Sequence, residues 1–411
     1  MRVLILRHGY YPADPRVRRE VSALVERGHA VDLVCLRDEG QAARERVAGA
    51  DVTRLPVRHR RRGPLRYLWE YGAFGVGAAA VTTWRARRRI YDLVQVNTMP
   101  DALVFAAIAQ RLRGVPVLLD LHELMPELYA SKFGVSMDHP LPRFLAGVER
   151  WAVRFADACL AVSEPCLERY VDRGSDPEKF TVVMNTADPG LFARPVGASS
   201  PVQHGSAAVG DSRSSLRGGP AMGRIVSHGT LVHRYGFDII IEALSGLPGV
   251  ELDIVGDGEE RSALQRLARR LGVADRVNFS GRIALSEVPA LLSQADIGVV
   301  ANRSDQFTDL VVPTKLMEYV ALGVPAVVAR TPAVEAYFDD RAVAFFTPGD
   351  VQDLRRRMAE LLACPRCRRD MVAHADATFG ARYAGGASAD AYIGVVERLG
   401  SARGDLSRTQ G

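Results

Sequence analysis

The strongest constraint on this 411-residue chain is a rhythm that runs through it twice. Short apolar runs of strand length alternate with amphipathic stretches of helical length. Val3–Leu6 reads as a buried strand, Val17, Val21, Leu24 and Val25 recur at helical spacing, Gly28 stands where a helix C-cap belongs, and Ala30–Cys35 is strand again. Leu93–Asn97, a helix opening near Asp101 and closing at Gly114, Val117–Leu121, Ala158–Val162 and Phe180–Met184 continue the pattern. It resumes with strands Ile225–His228, Leu252–Val255, Val277–Phe279, Ile297–Ala301 and Ala326–Ala329, and with helices Phe237–Leu244, Glu260–Leu271 and Thr314–Leu322 between them. Such alternation implies parallel, doubly wound sheets, an α/β fold.

The periodicity stops where Gly, Ser, Pro and Ala replace the large apolar residues. The expected organisation is a first domain over 1–192, a flexible linker over 193–223, a second domain over 224–375, C-terminal helices over 376–400 able to return to the first domain, and a tail over 401–411.

Composition narrows the function. With 47% hydrophobic and 25% charged residues the chain can bury cores, and a net charge of only +5 gives no general footprint for nucleic acid. Five scattered cysteines and an N-terminus that runs straight into Val3–Leu6 lead to the expectation of a reducing cytoplasm. No apolar run reaches the ~18 residues of a membrane span. The closest, Tyr67–Trp84, carries Glu70 and lies between Arg58, Arg60, Arg61 and Arg62 on one side and Arg85, Arg87, Arg88 and Arg89 on the other. It is either a packed helix with solvated basic ends or a face that rests on an anionic membrane. Cys364 and Cys367 form a single C-x-x-C, without the second pair that zinc would need.

In open parallel sheets ligands bind beyond the carboxyl ends of strands. After Ile225–His228 comes Gly229-Thr230-Leu231-Val232-His233-Arg234-Tyr235-Gly236, a Gly-framed turn leading to a helix whose N-terminus and Arg234 can hold phosphate. Gly256-Asp257-Gly258 follows the next strand, and Ser280-Gly281-Arg282 follows another, where a planar base can lie on backbone. In Val312-Pro313-Thr314-Lys315-Leu316-Met317-Glu318-Tyr319, Lys315 opens a helix within reach of phosphate. Glu318 lies one turn on, placed to accept from a ribose diol. In the first domain, Asp120-Leu121-His122-Glu123 ends a strand and places His122 and Glu123 near a reacting sugar. Arg16, in the loop after the first strand, is a candidate contact to acceptor or diphosphate.

In order and spacing these segments resemble the donor domain of the family-4 retaining glycosyltransferases of GT-B type. Ala156–Ser163 with Val182–Asp188 is similar to the close of that family's acceptor domain. The resemblance implies two Rossmann-like domains facing across a cleft, the first binding acceptor and the second a nucleotide sugar. The family often shows two glutamates eight positions apart; Glu318 matches the second, but Leu310 stands at the first, with Asp309 the nearest acidic substitute. Where the family commonly has an Arg and a Lys in the first donor loop, this chain has Thr230 and Tyr235, which leaves Arg234 and Lys315 to carry the diphosphate charge.

The implied activity is transfer of a sugar from a UDP- or GDP-sugar to an acceptor, with retention, in the making of cell-surface polysaccharide or glycolipid. His122, Arg234, Lys315 and Asp309 would be catalytic. Gly229, Thr230, Gly256, Gly281, Arg282, Val312, Thr314 and Glu318 would hold the nucleotide, and Arg16 and Glu123 the substrate. No metal or cofactor is expected, because helix ends and basic side chains take the cation's place. The arginine clusters suggest a lipid-linked or membrane-presented acceptor and a peripheral contact at the inner face of the membrane. Two alternatives share these features: an epimerase of the same fold, which releases a changed sugar from donor alone, and a non-catalytic membrane-surface adaptor.

Overall fold

A computed structural model describes residues 1–57, 64–88, 91–192, 194, 223–380 and 385–408. They form two compact units, Met1–Asn185 with Gly386–Gly411, and Thr186–Gly385.

The first unit is built on strands β1 (Arg2–Tyr10), β2 (Ala30–Leu36), β3 (Arg44–Val47), β4 (Ala50–Leu55), β5 (Leu93–Asn97), β6 (Val117–Leu121), β7 (Ala158–Ala161) and β8 (Phe180–Val182). They pair in the order β3-β4-β2-β1-β5-β6-β7-β8, parallel except for the β3–β4 hairpin. Helices α1 (Pro15–Glu26), α2 (Pro64–Ala86), α3 (Ile108–Arg111, after a 3-10 turn over Asp101–Ala107), α4 (Met125–Phe133), α5 (Pro140–Phe155) and α6 (Glu164–Asp172) connect them. Local chemistry sets the helix starts: the Asp14 side chain accepts from the Arg16 and Val17 amides with Pro15 behind it, and Ser163 accepts from the Cys166 amide.

The second unit orders its strands β11 (Val277–Gly281), β10 (Val250–Val255), β9 (Gly223–His228), β12 (Ile297–Val300), β13 (Ala326–Ala329) and β14 (Ala344–Phe346), all parallel. Its helices are α7 (Phe237–Leu244), α8 (Arg261–Arg270), α9 (Val288–Leu292), α10 (Thr314–Leu322), α11 (Pro332–Glu335), α12 (Val351–Ala363) and α13 (Pro365–Ala375). A last helix, α14 (Gly385–Arg408), returns to the first unit: Tyr392, Ile393, Val395 and Val396 join the core formed by Val3, Ile5, Val17, Val21 and Leu33.

The strand before residue 192 closes earlier than the apolar run Phe180–Met184 suggests. Residues from Thr186 group with the second unit. There Arg194 forks onto Asp376 at 2.6 and 2.7 Å and donates to the carbonyls of Val320 and Ala321 at the end of α10. Most of the expected linker lies outside the described residues.

Strand order reverses between β1 and β5 in the first unit, and between β9 and β12 in the second. These are the switch points at which open α/β sheets bind ligands. In the second unit the loops there are packed backbone to backbone. Gly256 has φ 133°, and a Cβ on it would stand 1.9 Å from the Gly229 carbonyl oxygen; one on Gly236 would stand 2.0 Å from the Ala301 oxygen. Gly256→Ala should therefore push the two loops apart and lose donor binding by at least about tenfold, with destabilisation of about 1–3 kcal/mol. Unchanged donor affinity by calorimetry would show that the approach is not needed.

Candidate functional site

Four elements converge beyond the carboxyl ends of β9 and β12. The turn Gly229–Gly236 feeds α7, whose N-cap is Gly236 in the left-handed conformation with no side-chain cap; α10 likewise begins at Pro313 without one. Free N–H groups and the positive ends of two helix dipoles are thus left at this end of the sheet. Arg234 and Lys315 lie on the Tyr235 ring, Cζ at 5.9 Å and Nζ at 4.8 Å from its centroid, and Lys315 is also 5.2 Å from the Phe237 ring. Arg234 Nη1 and Lys315 Nζ are buried without a hydrogen-bond partner among the described residues. Burial lowers the Lys315 pKa to about 7, opposed by Glu318. Two basic side chains with buried, unused donor atoms fit an anion with several acceptor oxygens.

Glu318 is one turn along from Lys315. One of its oxygens bonds His228 Nε2, at the end of β9, while His228 Nδ1 lies 3.0 Å from the Tyr319 hydroxyl. The His228 contact fixes the carboxylate and leaves its other oxygen for a hydroxyl. Asp309 sits on the 3-10 turn Thr308–Leu310 with Ser304 Oγ at 2.8 Å, and its Oδ1 is buried without a partner among the described residues. Burial raises its pKa, Ser304 opposes that, and Asp305 adds to it. Gly281 accepts from the Gly256 amide, Arg282 follows it, Val312 is buried beside Pro313, and Thr314 is exposed at the head of α10.

In the first unit the switch point holds a buried polar network. Arg16 donates to both oxygens of Asp120, Nε at 2.8 Å and Nη2 at 2.6 Å, and to the Val183 carbonyl. Glu20 accepts from Gln95 and Asn97 at 2.8 and 2.7 Å, and Gln95 in turn accepts from the Tyr392 hydroxyl of α14. His122 Nε2 lies 2.8 Å from Asp120 Oδ2. Burial would raise Asp120, but Arg16 and then His122 hold it well below the usual carboxylate range. Burial and then Asp120 push the Glu20 pKa up, opposed by Arg16. Burial and then Arg7 lower His122 despite Asp120, so its imidazole is neutral near pH 7. With Nε2–H donated to Asp120, Nδ1 is the ring's acceptor for a hydroxyl. Glu20, Asp120 and His122 bring ligand atoms within 4.8 Å of one another, and the positive charge among them is that of Arg16.

Arg16 departs from its expected role. It is buried and committed to Asp120, Glu20 and Val183, so it positions the network instead of reaching an acceptor. Glu123, next to His122, is half-buried. Arg85 is not a solvated helix end either: it is buried against Asp32 and Thr53, while Arg58, Arg60, Arg61, Arg62 and Arg89 lie outside the described residues. Cys364 and Cys367 are bonded to each other as a disulfide at the start of α13, a pairing that the expected reducing compartment did not anticipate. His228, Asp120, Asn97 and Glu20 were not singled out as site residues. For His228, Asp120 and Asn97 the signal available was a polar side chain inside an otherwise apolar strand, as in Val94-Gln95-Val96-Asn97 and Leu118-Leu119-Asp120; Glu20, on α1, carried no such signal.

The chain matches known families over both units. Residues 13–186 match the family model for the glycosyl transferase 4-like domain, and residues 222–378 that for glycosyl transferases group 1. The chain belongs to the group 1 glycosyltransferases of the GT-B fold. This glycosyltransferase is 29% identical over 173 residues to the lipopolysaccharide core biosynthesis glycosyltransferase LpsE of Rhizobium meliloti, a match covering 42% of the chain and 49% of that protein. It is 27% identical over 336 residues to the 2-deoxystreptamine glucosyltransferase of Streptomyces kanamyceticus, covering 80% of the chain and 74% of that protein. The chain thus spans about half the length of the first of these relatives and three quarters of the second. The crystal structure of Anabaena HepE in complex with UDP superimposes with a TM-score of 0.69 at 20% identity, covering 98% of the glycosyltransferase and all (100%) of that chain. No described helix is long and apolar enough to cross a membrane.

Proposed function

We propose that this chain transfers a sugar from a nucleoside diphosphate donor, a UDP- or GDP-sugar, to a hydroxyl of a lipid-linked or otherwise membrane-presented acceptor, with retention at the anomeric carbon. The observation that carries the reading is the buried Lys315 Nζ and the buried Nη1 of the half-buried Arg234, unused donors beside two uncapped helix N-termini. As the bond to the diphosphate breaks, negative charge grows on its leaving oxygen, and fixed donors in a water-poor site stabilise that charge more than they stabilise the ground state. No metal is needed for this role, so turnover should survive exhaustive chelation.

Glu318 holds the ribose diol with the oxygen that His228 leaves open, and the backbone at Gly281 and Arg282 borders the base. Asp309, next to Leu310 at the position of the family's first glutamate, is the nearest acidic group to face the transferred sugar in its place. His122 accepts from a sugar hydroxyl through Nδ1 in its neutral form. Support for the donor class comes from the complexes of Anabaena HepE with UDP and with UDP-glucose. Support for the acceptor class comes from relatives named for lipopolysaccharide core and phosphatidylinositol mannoside synthesis. Retention rests on the resemblance in the donor loops, and the anomeric configuration of the product, read by NMR, decides it.

A thermal-shift panel of UDP-, GDP- and dTDP-sugars tests the donor. One class should raise the melting temperature, and none doing so would contradict the reading. Glu318→Ala should weaken that donor by about 1.5–3 kcal/mol, the cost of losing charge-assisted hydrogen bonds, with the fold retained. Undiminished affinity by calorimetry removes Glu318 from the site.

A further inference from the structure

The face of the first unit made by α2, the turn Asp101–Ala107 with α3, and α5 is unlike the rest of the surface. Among the described side chains of α2 the exposed ones are Trp69, Gly72, Val76, Ala80, Thr83 and Trp84, none of them charged and at helical spacing. Gln110 donates to the Thr82 carbonyl, which joins α3 to α2. On α3 and its approach, Phe105, Ile108 and the following Leu112 are exposed, Leu112 by 81%. Phe105 meets Phe155 of α5 edge-on at 5.2 Å, and Arg111, itself paired with Asp157, lies over the same ring at 5.0 Å. The outer face of α5 alternates Arg143, Phe144, Arg150, Trp151 and Arg154, with Phe144 and Trp151 about two-thirds exposed at 65% and 64%.

The carboxylates explain the sign of this surface. Within these elements there are three, Glu70, Asp101 and Glu149, and all are buried. Glu149 turns inward to Arg173 at 2.8 Å. Apart from Gly72 and Thr83, what remains outside among the described side chains is aromatic, aliphatic or cationic, the composition of a protein face that sits among lipid headgroups, where Trp spans the boundary and Arg meets phosphate. A soluble monomer rarely exposes so continuous an apolar patch. A second copy of the chain is a poor occupant, since a twofold contact would set the arginines of α5 against themselves.

We propose that this three-helix face is the docking surface of the enzyme on an anionic bilayer, with Trp69, Leu112, Phe144 and Trp151 entering the interface and Arg143, Arg150 and Arg154 contacting lipid phosphates. The assignment rests on the reading of a membrane-presented acceptor and locates its contact on α2, α3 and α5.

The test is co-sedimentation of the full chain with vesicles of equal phosphatidylglycerol and phosphatidylcholine, against phosphatidylcholine alone, at low salt. The wild-type chain should partition at least about tenfold better onto the anionic vesicles, an advantage that salt erodes. Two triple variants, Leu112→Ser with Phe144→Ser and Trp151→Ser, and Arg143→Glu with Arg150→Glu and Arg154→Glu, should each lose about that tenfold. They should keep their melting temperature and donor affinity. A control with Arg266→Glu, Arg269→Glu and Arg270→Glu on α8 of the other unit should bind as the wild type does. Wild-type protein in the supernatant, triple variants that still sediment, or an equal loss in the α8 control would overturn the assignment. Docking with no donor bound and no sugar transferred would instead sink the transferase reading and leave the surface standing.

Discussion

Lys315→Met should make the protein more stable and nearly unable to bind its donor. The ammonium of Lys315 is buried on α10 without a hydrogen-bond partner among the described residues, and its contacts with the Tyr235 and Phe237 rings recover only part of the lost hydration. Burial lowers its pKa to about 7 from 10.5, so the unfolded chain binds the proton more tightly than the folded one. Stability contributed at this site falls as pH drops from the unfolded value toward 7 and is level below it; the cost near pH 7 is on the order of a few kcal/mol. Methionine fills the same space without the charge. Denaturant melts of both proteins between pH 7 and 10 should show the variant more stable at pH 7 and the gap closing as pH rises. Donor affinity at pH 7 should fall by about a hundredfold, the loss of a buried charge-assisted contact. A variant that is less stable, or that binds donor as well, would show that Lys315 is a structural residue.

The second large effect separates two neighbours in the first unit. Asp120→Ala should cost about 3–5 kcal/mol of stability, because it strands the buried Arg16 guanidinium that Asp120 holds by two bonds at 2.6 and 2.8 Å. His122→Ala removes a neutral ring at the edge of the same network and should change stability by less than about 1.5 kcal/mol while lowering kcat about 10²–10³-fold. Equal destabilisation by the two changes, or full turnover in His122→Ala, would place His122 in the scaffold. Urea melts paired with steady-state kinetics distinguish these outcomes.

The strands were the most legible part of the fold, because buried parallel strands are written as apolar runs. Leu93–Asn97, Val117–Leu121 and Ala326–Ala329 are observed with the bounds the sequence suggests, as are helices Phe237–Leu244 and Thr314–Leu322. The β3–β4 hairpin was not legible. β3 is the charged edge segment Arg44–Val47, and its turn is closed by Ala48 and Gly49, both at positive φ, with Ala an unusual residue there. β14 was hidden by its length of three residues. Among the candidate site residues, the glycines and Lys315 stood out because their signals are local to a turn or a helix start. Arg16 was misread because its partner, Asp120, is 104 positions away in sequence, and only the sheet brings the two together. The pairing of His228 with Glu318 escaped for the same reason. The arginine runs about α2 are visible in sequence because charge is, whereas the inward turn of Glu70, Asp101 and Glu149 is not.

On the proposed function, Arg234 and Lys315 wait for a donor diphosphate. Calorimetric titration with the nucleotide sugar at pH 8.5, in two buffers of different ionisation enthalpy, tests it most directly. A Lys315 with a pKa near 7 is mostly neutral in the free protein at that pH and is charged once diphosphate oxygens surround it. Binding should therefore take up close to one proton per donor, and the uptake should vanish in Lys315→Met. Donor binding with no proton uptake, unchanged by that substitution, would contradict the account.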